Sequence, residues 1–195
     1  MPNWCSNILT IEGCKEEVDN FVETAKGYGY KPEKQNTKDG FTPFDFNQFI
    51  PMPPEVIENG YNGEKGMEGV ESGYLWENNN WGVKWGACET CMSRNGDTEA
   101  VYSFDTAWSP PIKMMDAFIE QYPSLTFTLQ YEELGMMFEG TCIATNGSVS
   151  DECKEITVES LHEQGWHDDP EDYGDECELC EQELIANNIE EDYND

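Results

Sequence analysis

LTFTLQYEELGMMFEGTCIATNG, residues 125–147, decides the fold. Leu125, Phe127, Leu129 and Tyr131 alternate strictly, the period of a strand with one buried face. Glu132–Gly135 turns the chain, and Phe138, Gly140, Cys142 and Ala144 line one face of a second strand that ends at Asn146-Gly147. This is an antiparallel pair with a hydrophobic face that something must cover.

Working toward the N-terminus, Ser109-Pro110 predicts a helix start, with Ser109 as N-cap and Pro110 at the first helical position. Ile112, Met115, Phe118, Ile119 and Tyr122 form its apolar stripe. Arg94-Asn95-Gly96-Asp97 is a hairpin signal, because Asn-Gly suits a turn that needs positive φ. The returning strand is Glu99–Asp105, and the alternation of Trp81, Val83 and Trp85 predicts another strand before it. Glu55–Asn80 is rich in Gly, Asn and Glu and is expected to be an inserted loop. Phe44, Phe46 and Phe49 mark a strand closed by the prolines at 51, 53 and 54. Lys15–Lys26 has helical spacing with Gly27 as C-cap, and Ser6–Ile11 is the first strand. The order predicts an α+β fold: an antiparallel sheet with two helices on one face, close to the split βαβ arrangement. Residues 1–147 form this domain, and residues 148–195 are an acidic C-terminal extension of short helices or partial disorder.

Charge limits the function. The chain carries 41 acidic and 10 basic residues, a net charge of −31. Asp151–Asp195 holds eighteen of those acids against Lys154 alone, a net −17, which leaves −14 for residues 1–150. Phosphate contacts need Lys and Arg, so a nucleic-acid-binding surface is not expected. The same field repels anionic membrane and steers basic protein surfaces toward the chain. Within the tail, Asp168, Asp169, Glu171, Asp172, Asp175 and Glu176 place six carboxylates within nine residues and are the expected partner-binding set. Trp4, Trp81, Trp85 and Trp108 could stack bases on a sheet, but against this charge core packing is the expected role. The opening lacks a basic segment followed by an apolar run, so a signal peptide is not expected, and no stretch approaches a membrane span. The expected location is the cytoplasm.

Two C-x-x-C pairs, Cys88/Cys91 and Cys177/Cys180, could supply four thiolates to a structural zinc ion. A competing local set is His162, His167, Cys177 and Cys180. The plain alternative is ordinary reduced thiols, and one fact weighs for it at the first pair: positions i and i+3 of a regular strand face opposite sides. A redox role is disfavoured, since neighbouring negative charge raises a thiol pKa. Both histidines lie in the tail, so a Ser-His-Asp or Cys-His centre in the core is excluded. No phosphate-binding glycine loop is present, and no enzymatic activity is expected.

Five stretches in order carry a family resemblance: MPNWCSNILTIEG at 1–13, FNQFIPMPPE at 46–55, NNWGVKWGA at 79–87, FDTAWSPP at 104–111 and YEELGMMFEG at 131–140. They resemble the YubB-type ferredoxin-like family of plasmid, integrative-element and phage proteins, over about residues 1–147. The resemblance implies a ferredoxin-like fold and a mobile-element source, and it brings no catalytic residue. The acidic tail and the two C-x-x-C pairs look like departures from the family pattern. Joined to the charge, the resemblance implies a phage or mobile-element protein that binds and inhibits a basic host defence protein. A nuclease or CRISPR-type effector complex is the expected partner, held by nucleic-acid mimicry of the anti-CRISPR or anti-restriction type. The alternatives are a zinc-stabilised protein-binding adaptor without mimicry and, ranked lowest, an enzyme of unknown type.

Overall fold

The structure is a computed structural model that describes residues 2–28, 40–157 and 160. The chain divides into two compact units, Met1–Cys153 and Lys154–Asp195. Among the described residues the frame is one six-stranded sheet, lying in the first unit except for the last two residues of its final strand. Its strands are β1 (Trp4–Glu12), β2 (Cys88–Arg94), β3 (Glu99–Ala107), β4 (Thr126–Glu133), β5 (Phe138–Thr145) and β6 (Ser148–Glu155). Helix α1 (Lys15–Ala25) leads from β1 toward the β2–β3 hairpin, and α4 (Ile112–Gln121) links β3 to β4. The βαββαβ order with sheet order 2-3-1-4 makes this a ferredoxin-like fold, extended by β5 and β6.

Alternation sorts the faces as the sequence predicts. Cys5, Leu9 and Ile11 of β1, Ala100, Tyr102 and Phe104 of β3, Phe127, Leu129 and Tyr131 of β4, and Cys142 and Ala144 of β5 are buried. They share one core with Val18, Phe21, Val22 and Ala25 of α1 and Met114, Met115, Phe118 and Ile119 of α4. Phe21 is central: its ring lies 4.9 Å from Phe49, 5.2 Å from Tyr122, 5.4 Å from Phe127 and 5.5 Å from Phe118. Most of these pairs meet edge to face or tilted, the arrangement ring quadrupoles favour.

Several elements differ from the expectation. The Phe44–Phe49 stretch is not a strand. Asp45 accepts the Asn47 N–H at 3.0 Å and caps a 3-10 turn over Phe46–Gln48, which drops Phe44, Phe46 and Phe49 into the core together. The Trp81–Trp85 stretch is not a strand either, since positive φ at Gly82, Trp85 and Gly86 coils it. The 55–80 segment contains two helices, α2 (Pro54–Asn59) and α3 (Gly73–Asn80), whose Val56 and Trp76 join the core. Asn59 staples the intervening loop: its amide donates to Val70 O at 3.0 Å and Glu71 O at 3.1 Å, and its oxygen accepts the Met67 N–H at 3.1 Å. Helix α4 begins at Ile112 with Pro111 as its cap, two residues past the expected Ser109, and α1 ends on Lys26 rather than Gly27. The sheet also runs past residue 147, into β6.

Phe21→Ala should lower the free energy of unfolding by about 3–5 kcal/mol, because the cavity sits among the rings of Phe49, Tyr102, Phe118, Tyr122 and Phe127. Ile8→Ser, on the opposite face of the sheet and 46% exposed, should change it by no more than about 0.5 kcal/mol. Urea denaturation followed by tryptophan fluorescence measures both.

Candidate functional site

The helices cover one face of the sheet and the strand register defines the other. Down β1 that open face carries Trp4, Ser6, Ile8, Thr10 and Glu12. Across from them stand Ala107, Asp105, Ser103, Val101 and Glu99 on β3, and Glu132, Gln130, Thr128 and Thr126 on β4. Beyond β4 come Glu139, Thr141 and Ile143 on β5. The face therefore combines hydroxyls, Gln130, the apolar Trp4, Ile8, Val101, Ala107 and Ile143, and the carboxylates Glu12, Glu99, Asp105, Glu132 and Glu139, with neither Lys nor Arg in those strand positions. Glu12 lies directly across from Glu99, and Glu132 directly across from Glu139. Like charges so placed destabilise a sheet. The basic residues nearby are engaged elsewhere: Lys15 and Arg94 pair with Asp19, and Lys26 pairs with Glu23.

One end of this face is aromatic. Trp4 is 42% exposed and Trp108 43% exposed, and the Trp4 and Trp85 rings lie 6.2 Å apart, inclined at 48°. The Lys84 ammonium sits over both Trp85, at 4.1 Å from the ring centre, and Trp108, at 5.8 Å. Trp85 and Trp108 have φ of 69° and 73°. Positive φ in a bulky residue costs about 1–3 kcal/mol and persists only where the surroundings impose it. Both impositions are visible. The Trp85 N–H donates to Glu77 Oε2 at 2.7 Å, and the Glu77 carbonyl accepts from Trp81 N at 2.8 Å and Gly82 N at 3.1 Å. The Trp108 N–H donates to Asn3 O at 3.0 Å. Beneath it, Asn7 donates to Thr106 Oγ1 at 2.9 Å and Thr106 donates to Ser109 O at 2.7 Å. On the other side of Asn3 a turn packs so closely that a Cβ on Gly135 would meet Asn3 Nδ2 at 2.5 Å. Stretches of chain far apart in sequence thus converge on one corner through Asn3, Trp4, Lys84, Trp85, Trp108 and Gly135.

Core packing holds for Trp81, whose indole N–H donates to Ile50 O at 2.9 Å, but not for Trp4 or Trp108. The sequence signal that was missed lies in Ala107-Trp108-Ser109-Pro110: the Ser-Pro pair marks the turn out of the strand, which leaves Trp108 at its rim.

The first C-x-x-C pair also corrects an expectation. Cys88 pairs with Asp105 and Cys91 with Ser103, with a bulge between them at Glu89, whose φ is 48°. One extra residue restores the phase, so Cys88 and Cys91 fall on the same open face. Among the described residues no group of three His, Cys, Asp or Glu side chains could hold a metal ion. Cys177, Cys180, His162, His167 and the six tail acids from Asp168 to Glu176 lie outside the described residues. Burial pushes the Cys5 and Cys142 thiols up to about 12, which removes both as nucleophiles. Among the described residues no helix is long and apolar enough to cross a membrane.

Fold and site together define a ferredoxin-like domain with an acidic open sheet face and a strained tryptophan corner. The chain belongs to the family described as the ferredoxin-like domain in Api92-like protein, whose sequence model matches residues 81–181. It is 35% identical over 100 residues to YubB of Escherichia coli K12, an alignment that covers 50% of this chain and 68% of YubB. The crystal structure of Api92 from Yersinia pseudotuberculosis superposes with a TM-score of 0.63 at 11% identity, over 81% of this chain and 99% of that one. At that identity the likeness speaks for the fold alone. The family match extends to residue 181, so the acidic stretch through Cys180 lies within the family's span rather than outside it.

Glu77 makes the corner sensitive to pH. It is fully buried, with Oε1 lacking a hydrogen-bond partner, and burial raises its pKa from 4.5 to about 7 against the Trp85 N–H bond that lowers it. Between those values the folded protein holds a proton that the unfolded chain has lost, so this group makes stability fall as pH rises. Glu77→Gln removes the effect. From pH 5 to 7.5 the parent should lose about 2 kcal/mol more unfolding free energy than the variant, measured by urea denaturation at each pH.

Proposed function

We propose that this chain is an acidic protein-recognition domain that docks on the basic surface of a nucleic-acid-binding protein and blocks that partner's access to DNA or RNA. Inhibition of a host defence nuclease or CRISPR-type effector complex by a mobile-element protein is the form this activity takes. One observation carries the reading: on β1, β3, β4 and β5 the open sheet face presents Glu12, Glu99, Asp105, Glu132 and Glu139, with no basic residue at the positions between them, and Lys154 of β6 is the one basic strand residue on that side among the described residues. Sheets of this kind that bind RNA need the reverse, aromatic rings with positive charge for the phosphates. Docking of a cationic surface would relieve the Glu12–Glu99 and Glu132–Glu139 repulsions, which gives the bound state energy the free state lacks. Asp168, Asp169, Glu171, Asp172, Asp175 and Glu176 add six further carboxylates to the charge of the chain.

Affinity capture from host lysate should recover a basic nucleic-acid-binding protein at about 50 mM salt and lose it by about 500 mM, because charge pairing is screened over a Debye length. The captured protein should lose its DNA or RNA on addition of this chain. Changing the five face acids to Gln or Asn should weaken capture about tenfold, as should changing the six tail acids, while single changes should do little, since exposed ion pairs are worth about 0–1 kcal/mol each. Capture unaffected by either set, or insensitive to salt, overturns the proposal.

A zinc-stabilised adaptor is the second reading, favoured by the bulge that brings Cys88 and Cys91 to one face. Cys177 and Cys180 would complete a closed four-thiolate site. Elemental analysis should then find about one zinc per chain after purification in metal-free buffer, falling below about 0.1 in Cys88→Ser/Cys91→Ser.

A further inference from the structure

We infer that the corner formed by Trp4, Trp85 and Trp108 recognises an arginine side chain of the basic partner, and that Lys84 holds the place of that guanidinium in the unbound protein. The inference rests on the proposed function and identifies what in the partner is read. Aromatic faces attract cations through the ring quadrupole, most strongly at tryptophan. Two indoles already do so here, with the Lys84 ammonium 4.1 Å from one ring centre and 5.8 Å from the other.

The corner is built rather than incidental. Both lysine-contacting tryptophans have left-handed backbone, at φ 69° and 73°, where glycine would sit without strain, as it does next door at Gly82 and Gly86. Separate hydrogen bonds, from Trp85 to Glu77 and from Trp108 to Asn3, hold them there. The core does not need these rings: Trp4 and Trp108 keep about two-fifths of their surface in solvent.

Charge complementarity selects the occupant. Two residues along β1 from Trp4, Ser6 stands between Asp105 and Glu132, so carboxylates border the aromatic end of the face. A planar guanidinium can lie flat on an indole and still direct its donors sideways to such carboxylates, which a lysine ammonium cannot do. A nucleic acid base would find stacking surface but meet the same carboxylates with its phosphates.

The test uses the full chain and two probes of equal charge, a nona-arginine and a nona-lysine peptide, titrated at low salt by tryptophan fluorescence and by calorimetry. The acidic face attracts both. The corner should make the arginine peptide bind about threefold to tenfold tighter than the lysine peptide. Trp108→Gly should abolish that preference without lowering the melting temperature, because glycine accepts φ 73° and the ring is exposed. Lys84→Ala should enlarge the preference by emptying the placeholder. Equal binding of the two peptides, or a preference unchanged in Trp108→Gly, overturns the corner and leaves the acidic-face reading intact. Failure of both peptides to bind overturns both. Tight binding of an oligothymidylate, or self-association lost in Trp108→Gly, overturns the arginine assignment in favour of a base or a second copy of the chain.

Discussion

The packing of Phe21 against the rings around it is the contact on which the rest of this domain depends. It joins α1 to the 3-10 turn through Phe49, to α4 through Phe118 and to the sheet through Phe127 and Tyr102. Phe44 does the same from the other side, stacked 4.7 Å from Tyr102 and edge-on to Phe46 and Phe104. Rings bury more apolar area per residue than aliphatic side chains. A chain whose hydrophobic content is only 37% can therefore close a full core on one side of its sheet and leave the other side polar.

That division of labour explains how so much negative charge is tolerated. Repulsion among the open-face carboxylates acts against folding, but it acts across water, where it is weak. The opposing burial acts in the dry layer between sheet and helices. Glu77 and Glu133 are buried acids with one carboxylate oxygen each left without a hydrogen-bond partner, and the other Glu77 oxygen accepts the Trp85 N–H. The domain thus spends stability at one point to hold a tryptophan in a conformation it would not choose.

The fold was legible where side chains repeat. Leu125 to Ala144 and Ala100 to Phe104 show period two because each strand has one dry face, and α1 and α4 show period 3.6 for the corresponding reason. Legibility failed where the backbone is set by hydrogen bonds that sequence patterning does not encode. Phe44–Phe49 looks like a strand by spacing, yet the Asp45 carboxylate turns it into a cap. Trp81–Trp85 alternates, yet Glu77 coils it. The 55–80 segment looks like loop by composition, and Asn59 with the Ser72 cap organises it. The aromatic corner was not legible. The convergence of Asn3, Lys84, Trp85, Trp108 and Gly135 is a property of tertiary contact alone, which no local spacing encodes.

The bulge at Glu89 has a consequence for assembly. A flat outer strand offers its unpaired N–H and C=O groups to any passing strand, and sheets of this size are prone to pair edge to edge. Here β2, one rim of the sheet, is kinked by the extra residue. Last in the sheet among the described residues, β6 carries Asp151, Glu152 and Glu155 against Lys154, a net negative strand that a second copy would meet with like charge. Both devices work against pairing between copies of the chain, since each copy brings the same kink and the same charge. On the broad side of the sheet the ladder hydrogen bonds are already made, so that face presents side chains rather than backbone.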